Sequence, residues 1–246
     1  MEIKGKTVIV TGGNTGIGRA ISTNFAKRGA NIAIAYFAQP EETEAAVAEF
    51  TAMGVKAKGY LVDITQEDQV ATVFKQIASD FGDISALVNC AGRTHVVAHD
   101  DLYGMKNEYW DDIFNVNVKG TFFCCREAKP FLDEAGGCIV NITSTGGLNG
   151  LGSSMAYSAS KAALINMTRS LARVFAPKVR VVGVAPGFVM TQFIAGQEAR
   201  GMRNAQETVL KRLAEPSDIA DVVASVVCDN NILTGINIVV DGGRVF

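Results

Sequence analysis

A tyrosine and a lysine stand four residues apart in the stretch MAYSASKAAL, residues 155–164. On a helix, positions i and i+4 project from the same face, so Tyr157 and Lys161 should point in one direction. A lysine ammonium close to a phenol favours the phenolate and lowers the tyrosine pKa towards neutral pH. Such a pair can give a proton to a carbonyl oxygen or take one from an alcohol. An isolated pair of this kind is more often a packed ring beside a solvated amine.

A serine ends the apolar stretch CIVNITS, 13 residues before the tyrosine. Ser144 can donate a hydrogen bond to the oxygen that Tyr157 protonates and so offset the charge that develops there. A serine at the end of a strand is, taken alone, more often a turn residue. Its significance therefore depends on whether the fold brings the two side chains together.

The glycine-rich stretch TGGNTGIG, residues 11–18, directly follows the first predicted strand and opens the first predicted helix. Glycines at these positions allow a tight turn, a close approach of backbone to phosphate and close helix packing, while the helix N-terminus presents N–H groups to a pyrophosphate. No Lys-Ser or Lys-Thr pair completes a P-loop, so the stretch predicts a dinucleotide site and disfavours phosphoryl transfer from ATP. The residues expected to contact the dinucleotide here are Gly12, Asn14, Thr15, Gly16, Ile17 and Gly18.

The elements that must position these residues alternate along the chain. Strands are predicted at 6–11, 31–37, 56–63, 86–92, 138–143, 179–184 and 236–242, and helices at 16–28, 41–54, 66–82, 108–129, 154–175 and 216–228. This order predicts an α/β fold, a single-domain Rossmann-like doubly wound parallel sheet of about seven strands with helices on both faces, over residues 1–246. The alternation stalls at about 190–214, which is predicted to be a mobile substrate lid, with a decorative helical hairpin as the alternative.

Composition excludes several function classes. The 246 residues are 48% hydrophobic and carry a formal net charge of −2, so there is no basic excess for nucleic acid. No apolar run reaches the length of a membrane span or a signal peptide. The five cysteines show no paired spacing, which favours a reduced, cytoplasmic protein without a metal site. A small-molecule partner is expected.

All these motifs, in this order, resemble the short-chain dehydrogenase/reductase family over essentially the whole chain. The matching stretches are TGGNTGIG at 11–18, VDI at 62–64, NCAG at 89–92, NVNVKG at 115–120, NITS ending at Ser144, YSASK at 157–161 and VAPGFVMT at 184–191. Two positions depart from the family pattern, because Cys90 and Gly183 stand where the family often has asparagine. Both departures are expected to affect loop packing rather than chemistry.

The resemblance implies an NAD(P)-dependent oxidoreductase that transfers a hydride between nicotinamide and a secondary alcohol or ketone, with Tyr157 as general acid/base. The catalytic residues that it implies are Asn117, Ser144, Tyr157 and Lys161. Lys161 would also hold the nicotinamide ribose, and Asn117 would support a water that links Lys161 to solvent. Further cofactor contacts are implied for Tyr36, Asp63, Ile64, Asn89, Ala91, Gly92, Tyr157, Lys161, Pro186, Gly187, Val189 and Thr191. The resemblance also implies a homo-oligomer, a tetramer or dimer, with the 155–175 helix and the last strand at its interfaces.

The end of the second predicted strand bears on the choice of cofactor. NAD-selective dinucleotide folds usually place an acidic residue there to bind the ribose 2′-hydroxyl. This chain has Tyr36, and no carboxylate follows before Glu41. The arginine or lysine that would bind a 2′-phosphate is also missing, so the argument is one-sided and favours NADP(H) over NAD(H).

Substrate identity and two other functions stay open at this level. The alternatives are a catalytically inactive dinucleotide-binding regulator and an epimerase or dehydratase on the same fold. Segments 93–106, 145–154 and 190–208 are mostly small or apolar, which favours an apolar or bulky carbonyl substrate. The roles of His95 and His99, in the loop after the fourth predicted strand, are left open.

Overall fold

A computed structural model describes residues 1–191, 196 and 198–245. Within them, seven parallel strands form one sheet in the order β3-β2-β1-β4-β5-β6-β7. The strands are β1 Thr7–Thr11, β2 Asn31–Tyr36, β3 Ala57–Leu61, β4 Ile84–Asn89, β5 Cys138–Ile142, β6 Arg180–Pro186 and β7 Asn237–Val240. The predicted doubly wound parallel sheet of about seven strands is confirmed.

Helices connect the strands. They are α1 Gly16–Lys27, α2 Pro40–Ala52, α3 Glu67–Phe81, α4 Asn107–Phe114, α5 Thr121–Ala135, α6 Gly146–Asn149, α7 Met155–Phe175, α8 Glu198–Glu207 and α9 Pro216–Cys228. A π-helical turn, Asn115–Gly120, joins α4 to α5.

The sheet is buried on both faces, as its continuous apolar strands require. Every residue of β1 is buried. One face packs against Phe25 of α1 and Val223 of α9, and the other packs against Phe74 of α3 and Leu132 of α5. The two apolar layers hold the strands in a fixed position, so the strand ends form a rigid edge.

The direction of strand progression reverses at β1. In register, Thr11 lies beside Ala35 of β2 on one side and beside Asn89 of β4 on the other. The connections leaving β1 and β4 diverge at this point, which opens a crevice beyond the carboxyl ends of the strands. The glycine-rich stretch and the segment after β4 both enter that crevice.

The predicted helix at 108–129 is wrong in detail. The structure divides it into α4, the π-helical turn and α5, and α5 continues through Pro130 to Ala135. A π-helical turn contains one extra residue, which the 3.6-residue periodicity of apolar side chains does not reveal. The predicted lid at 190–214 includes residues 192–195 and 197, which lie outside the described residues. Its described part contains α8.

Searches for spans and metal sites cover the described residues only. Within that part of the chain, no helix is both long and apolar enough to cross a membrane. The same residues contain no group of three or more histidine, cysteine or acidic side chains placed to hold a metal ion. All five cysteines fall within the described part and carry free thiols.

Gly183 of β6 lies in register with Asn237 of β7. A Cβ at position 183 would lie 2.3 Å from the Oδ1 atom of Asn237. That oxygen accepts a hydrogen bond of 2.7 Å from the hydroxyl of Thr143, next to Ser144. The asparagine side chain therefore fills the space beside the glycine and ties β7 to the end of β5.

Gly183→Ala is expected to lower the free energy of unfolding by about 1–3 kcal/mol, because the added methyl group displaces the Asn237 amide. Asn237→Ala removes the obstructing amide, so the double variant should lose less stability than the two single variants together. Urea denaturation of the wild type and the three variants measures the difference. Strictly additive losses would contradict the packing described here.

Candidate active site

A cavity of about 710 Å³ lies at the carboxyl ends of the strands. Most of the residues singled out in the sequence line it: Gly12, Asn14, Thr15, Gly16, Ile17, Gly18, Tyr36, Asp63, Ile64, Ala91, Gly92, Ser144, Tyr157, Lys161, Pro186, Gly187, Val189 and Thr191. The fold thus brings residues from six strand ends to one place.

Gly12 and Gly18 of the glycine-rich turn are packed too closely against backbone to be replaced by residues with side chains. A Cβ on Gly18 would lie 2.0 Å from the carbonyl oxygen of Gly12, and one on Gly12 would lie 3.2 Å from the backbone of Ala91. Gly12 also has a φ of +64°, in the left-handed region. The amide of Asn14 donates to the carbonyl of Ala38 at 2.9 Å and fixes the loop after β2 beside the turn.

The first two residues after β4 are held by the hydroxyl of Thr11. Thr11 Oγ1 accepts hydrogen bonds of 3.1 Å from the backbone N–H groups of both Cys90 and Ala91. Cys90, in the position where the family resemblance would place asparagine, lines the cavity. Burial raises the pKa of its thiol to about 12, which keeps the thiol protonated.

Asn89 does not line the cavity. It is 3% exposed, and its amide nitrogen donates to Asn141 Oδ1 at 2.9 Å and lies 3.2 Å from Cys125 Sγ. Asn141 in turn donates to Thr168 at 2.9 Å. The sequence predicts Asn89 as a cofactor contact. In the structure its side chain lies between the sheet and α5, and it joins β4 to β5 and, through Asn141, to α7.

The amino end of α7 places the tyrosine and the lysine. Ser154 caps the helix by accepting a 3.3 Å hydrogen bond from the Tyr157 N–H. One turn later, Lys161 Nζ donates to the carbonyl of Ile142 at 2.8 Å and lies 5.7 Å from the centroid of the Tyr157 ring. Tyr157 forms a side-chain hydrogen bond with Ser144. The three predicted side chains therefore meet at the cavity wall.

Burial governs the titration of both groups. It raises the pKa of Tyr157, and the hydrogen bond with Ser144 opposes only part of that rise. Burial also lowers the pKa of Lys161 to about 8. The expectation that Lys161 lowers the tyrosine pKa is wrong for the arrangement seen here, because enclosure disfavours both charged forms. The phenol is therefore protonated at neutral pH, ready to donate.

Asn117 is fully buried in the π-helical turn, behind the cavity wall. Its amide nitrogen donates to the carbonyl of Arg93 at 3.0 Å and to Ser160 Oγ at 3.0 Å, and its oxygen accepts from the Arg93 N–H at 2.8 Å. The side chain thus fixes the loop after β4 against α7.

His95 is held by other side chains and does not line the cavity. Its Nε2 lies 2.7 Å from Asp112 Oδ2, and its ring stacks on Tyr109 at 4.1 Å between centroids. His99 Nε2 lies 3.3 Å from the Gly152 carbonyl oxygen. Both histidines therefore have structural contacts near the mouth of the cavity.

Several polar cavity residues were missed in the sequence. They are Arg93, Asp112, Arg200, Asn204 and Arg244. The spacing of Arg200 and Asn204, one helical turn apart, was the available signal. This spacing places both side chains on one face only if the segment is helical, and the sequence offers a helical hairpin there only as the alternative to a lid.

The residues at the cavity lie within a stretch that matches a known protein family. The family model described as "Enoyl-(Acyl carrier protein) reductase" matches residues 12–244, which is nearly the whole chain. The chain belongs to the short-chain dehydrogenase/reductase family. As a member of this family, it is an oxidoreductase that uses a nicotinamide dinucleotide.

Relatives of this short-chain dehydrogenase/reductase match it end to end. The 3-oxoacyl-(acyl-carrier-protein) reductase of Staphylococcus epidermidis is 35% identical over 242 residues, covering 97% of this chain and 98% of that protein. The reductase of the same name from Thermotoga maritima is 34% identical over 249 residues and covers 100% of both chains. A short-chain dehydrogenase from Burkholderia cenocepacia, solved in complex with NADP, is 32% identical with a TM-score of 0.92 and covers 99% of each chain.

The cavity of this short-chain dehydrogenase/reductase fits its dinucleotide. Gly12, Gly16 and Gly18 bring the backbone of the turn to the cavity wall, and no side chain in the described part of the chain caps the N-terminus of α1, so its first N–H groups are left for a pyrophosphate. The volume lies in the range typical of small-molecule and cofactor sites.

Lys161 predicts a measurable pH dependence of stability. Its pKa is about 8 in the folded protein against 10.5 for a free lysine, so between these values the unfolded state binds more protons and stability rises with pH. The wild type should gain about 2–4 kcal/mol of unfolding free energy relative to Lys161→Met between about pH 8 and 10.5. Urea denaturation across this range measures it. Lys75→Met, at an exposed lysine of α3, is the control. If the difference in unfolding free energy between the wild type and Lys161→Met changed as little with pH as that for Lys75→Met, the burial argument would be contradicted.

Proposed function

We propose that this enzyme interconverts a ketone and a secondary alcohol with NADP(H), Tyr157 acting as the general acid/base. One observation carries the proposal: the Tyr157 side chain is hydrogen-bonded to Ser144 and enclosed beside the buried Lys161 at the wall of the dinucleotide cavity. A phenol kept protonated by burial is suited to donate its proton to a carbonyl oxygen.

Each catalytic side chain has a distinct role in this proposal. Ser144 orients the substrate oxygen and donates a hydrogen bond to it as negative charge develops. Tyr157 delivers the proton to that oxygen, or removes it in the reverse direction. Lys161, anchored on the Ile142 carbonyl, places a cation near the ring when the phenolate forms. Asn117 acts at a distance, by holding the backbone of Arg93.

The cofactor is held by residues from both halves of the sheet in this proposal. A bound nicotinamide dinucleotide supplies or accepts the hydride. The backbone of the glycine turn and the N-terminus of α1 bind its pyrophosphate. The remaining contacts are assigned to Tyr36, Asp63, Ile64, Ala91, Gly92, Pro186, Gly187, Val189 and Thr191, which all line the cavity. Asn89 supports the site through Asn141 instead of touching the cofactor.

Preference for NADP(H) is proposed from the end of β2. The cavity wall there consists of Tyr36, Phe37, Ala38 and Gln39, none of which would repel a 2′-phosphate. The Burkholderia cenocepacia relative was solved with NADP, which supports the same choice.

Reduction of a 3-oxo group is the reaction we propose first. Relatives about 35% identical over nearly the whole chain are named 3-oxoacyl-(acyl-carrier-protein) reductases. The protonated state of Tyr157 suits this direction. The comparisons favour oxidoreduction over an inactive regulator, an epimerase or a dehydratase.

Assembly, location and domain organisation complete the proposal. We propose a homo-oligomer, because apolar side chains are exposed on α7 at Val174 (71%) and on β7 at Val239 (43%). The free thiols of the cysteines favour the cytoplasm. We further propose one domain, with α8 as the substrate-facing part of the lid.

Tyr157→Phe is expected to lower kcat by about 10²–10⁴-fold, because it removes the proton donor while preserving the ring. A panel of ketones followed by NADPH absorbance measures turnover, and fluorescence titration measures NADPH affinity, which should change little. Tyr103→Phe, at a fully exposed tyrosine, is the matched control. Near-normal turnover of the Tyr157 variant would refute the proposed mechanism.

Tyr36→Asp is expected to reverse the cofactor preference. The new carboxylate would repel the 2′-phosphate of NADPH and bind the ribose 2′-hydroxyl of NADH, so the NADPH/NADH ratio of kcat/KM should fall by at least about tenfold. Tyr36→Phe serves as control because it keeps the ring without a charge. If Tyr36→Asp left the NADPH/NADH ratio of kcat/KM unchanged, the adenosine ribose would not bind beside residue 36.

A further inference from the structure

The cavity-facing side of α8 is polar. Arg200 and Asn204 lie one turn apart and both line the cavity. Asn204 is 6% exposed, and its amide donates to the Arg200 carbonyl at 2.7 Å. This differs from the apolar substrate region expected from sequence composition.

Positive charge gathers around Arg200. Arg244 also lines the cavity and forms a salt bridge of 2.6 Å with Glu207 of α8. Arg203 lies on the exposed side of α8. Burial, followed by the charges of Arg244 and Arg203, lowers the pKa of Arg200. A desolvated guanidinium that is repelled by like charges gains from an incoming anion.

Arg200 lies near Tyr157, on the far side of Gly152. Its Nη2 donates to the carbonyl of Gly152 at 2.8 Å. Gly152 packs on the catalytic ring, since a Cβ there would lie 2.9 Å from Tyr157 Cδ1. The guanidinium carbon lies 5.8 Å from the centroid of the Phe188 ring, just after β6. Arg200 thus stands on the catalytic side of the cavity, away from Tyr36 at the end of β2.

Another carboxylate on this side is already paired. Asp112 lines the cavity and lies 3.2 Å from Arg93 Nε and 2.7 Å from His95 Nε2. Asp112 is therefore matched by Arg93 and His95. Around α8, the three arginines Arg200, Arg203 and Arg244 outnumber the carboxylates, even with Glu207 paired to Arg244, and an excess of cations favours an anion.

We propose that Arg200, assisted by Arg244, binds an oxyanion of the substrate, so that the reacting ketone or alcohol carries a carboxylate or a phosphate a few bonds from the reacting carbon. This inference rests on the proposed oxidoreductase function and names its substrate class. A guanidinium suits both anions, because its planar fork can bind two oxygens at once.

Matched substrate pairs test the assignment. The oxo acids 3-oxobutanoate, 4-oxopentanoate and 5-oxohexanoate are each compared with their methyl esters, and dihydroxyacetone phosphate is compared with dihydroxyacetone, at saturating NADPH. For at least one pair, the wild type should show a kcat/KM for the anion about 10–100-fold above that for the neutral partner. The two arms distinguish a carboxylate from a phosphate.

Variants show whether Arg200 causes the preference. Arg200→Gln and Arg244→Gln should bring the anion/neutral ratio towards one, and Arg200→Lys should retain part of it. Arg203→Gln removes the same charge from the same helix at an exposed position and should keep a ratio close to that of the wild type. A ratio near one in the wild type, or an equal loss in the Arg203 variant, would overturn the inference.

A binding measurement separates this inference from the proposed reaction. Calorimetric titration of the enzyme saturated with NADP⁺ uses hexanoate and hexyl phosphate as unreactive probes. Binding of either probe that Arg200→Gln weakens about tenfold or more supports the inference, even if no ketone is turned over and the proposed reaction fails. Turnover of neutral ketones without binding of either anion overturns the inference and leaves the proposed reaction intact. Weaker NADP⁺ binding by Arg200→Gln, with no change in anion preference, would assign the arginine to the cofactor.

Discussion

The parallel hydrogen bonding of β1, β4, β5 and β6 is the constraint on which the site depends. Parallel strands end at one edge of a sheet, so segments far apart in the chain emerge side by side. Thr11 stands beside Asn89 in register, and Ile142 stands beside Val184. The Thr11 hydroxyl then holds the chain after β4, and the Ile142 carbonyl receives the amine of Lys161. Both contacts depend on strand register, because a shift of one residue would turn the Thr11 side chain to the other face and would move the Ile142 carbonyl away from Lys161.

Enclosure at this edge sets the chemistry of the tyrosine and the lysine. Groups with shifted pKa values are common at functional sites, and here a single cause acts on both groups in opposite directions. The phenol of Tyr157 is kept neutral by burial, while the amine of Lys161 becomes easier to deprotonate. Ser144 moderates the first effect through its hydrogen bond. The site thus stores a proton on the tyrosine and keeps a titratable cation beside it.

Much of the fold could be predicted because its signals are local. Apolar β-branched runs, the glycine turn and the four-residue spacing of Tyr157 and Lys161 each depend on neighbouring residues, and the structure confirms the strands and the shared helix face. Contacts between distant elements could not be predicted. The inward turn of Asn89 depends on Asn141, which is 52 positions away, and the titration of Tyr157 depends on how completely the cavity encloses it.

The packing of α1 against α9 has a consequence for biosynthesis. Phe25 of α1 shares a buried cluster with Ile219 and Val223 of α9, and Asn24 donates to Asp221 at 2.6 Å, 197 positions further along the chain. A ribosome releases the amino-terminal part first. The helix behind the glycine turn therefore leaves the exit tunnel long before the helix that covers its apolar face. Until α9 has been synthesised, the apolar face of α1 lacks its native partner, and the dinucleotide cavity lacks this part of its supporting layer.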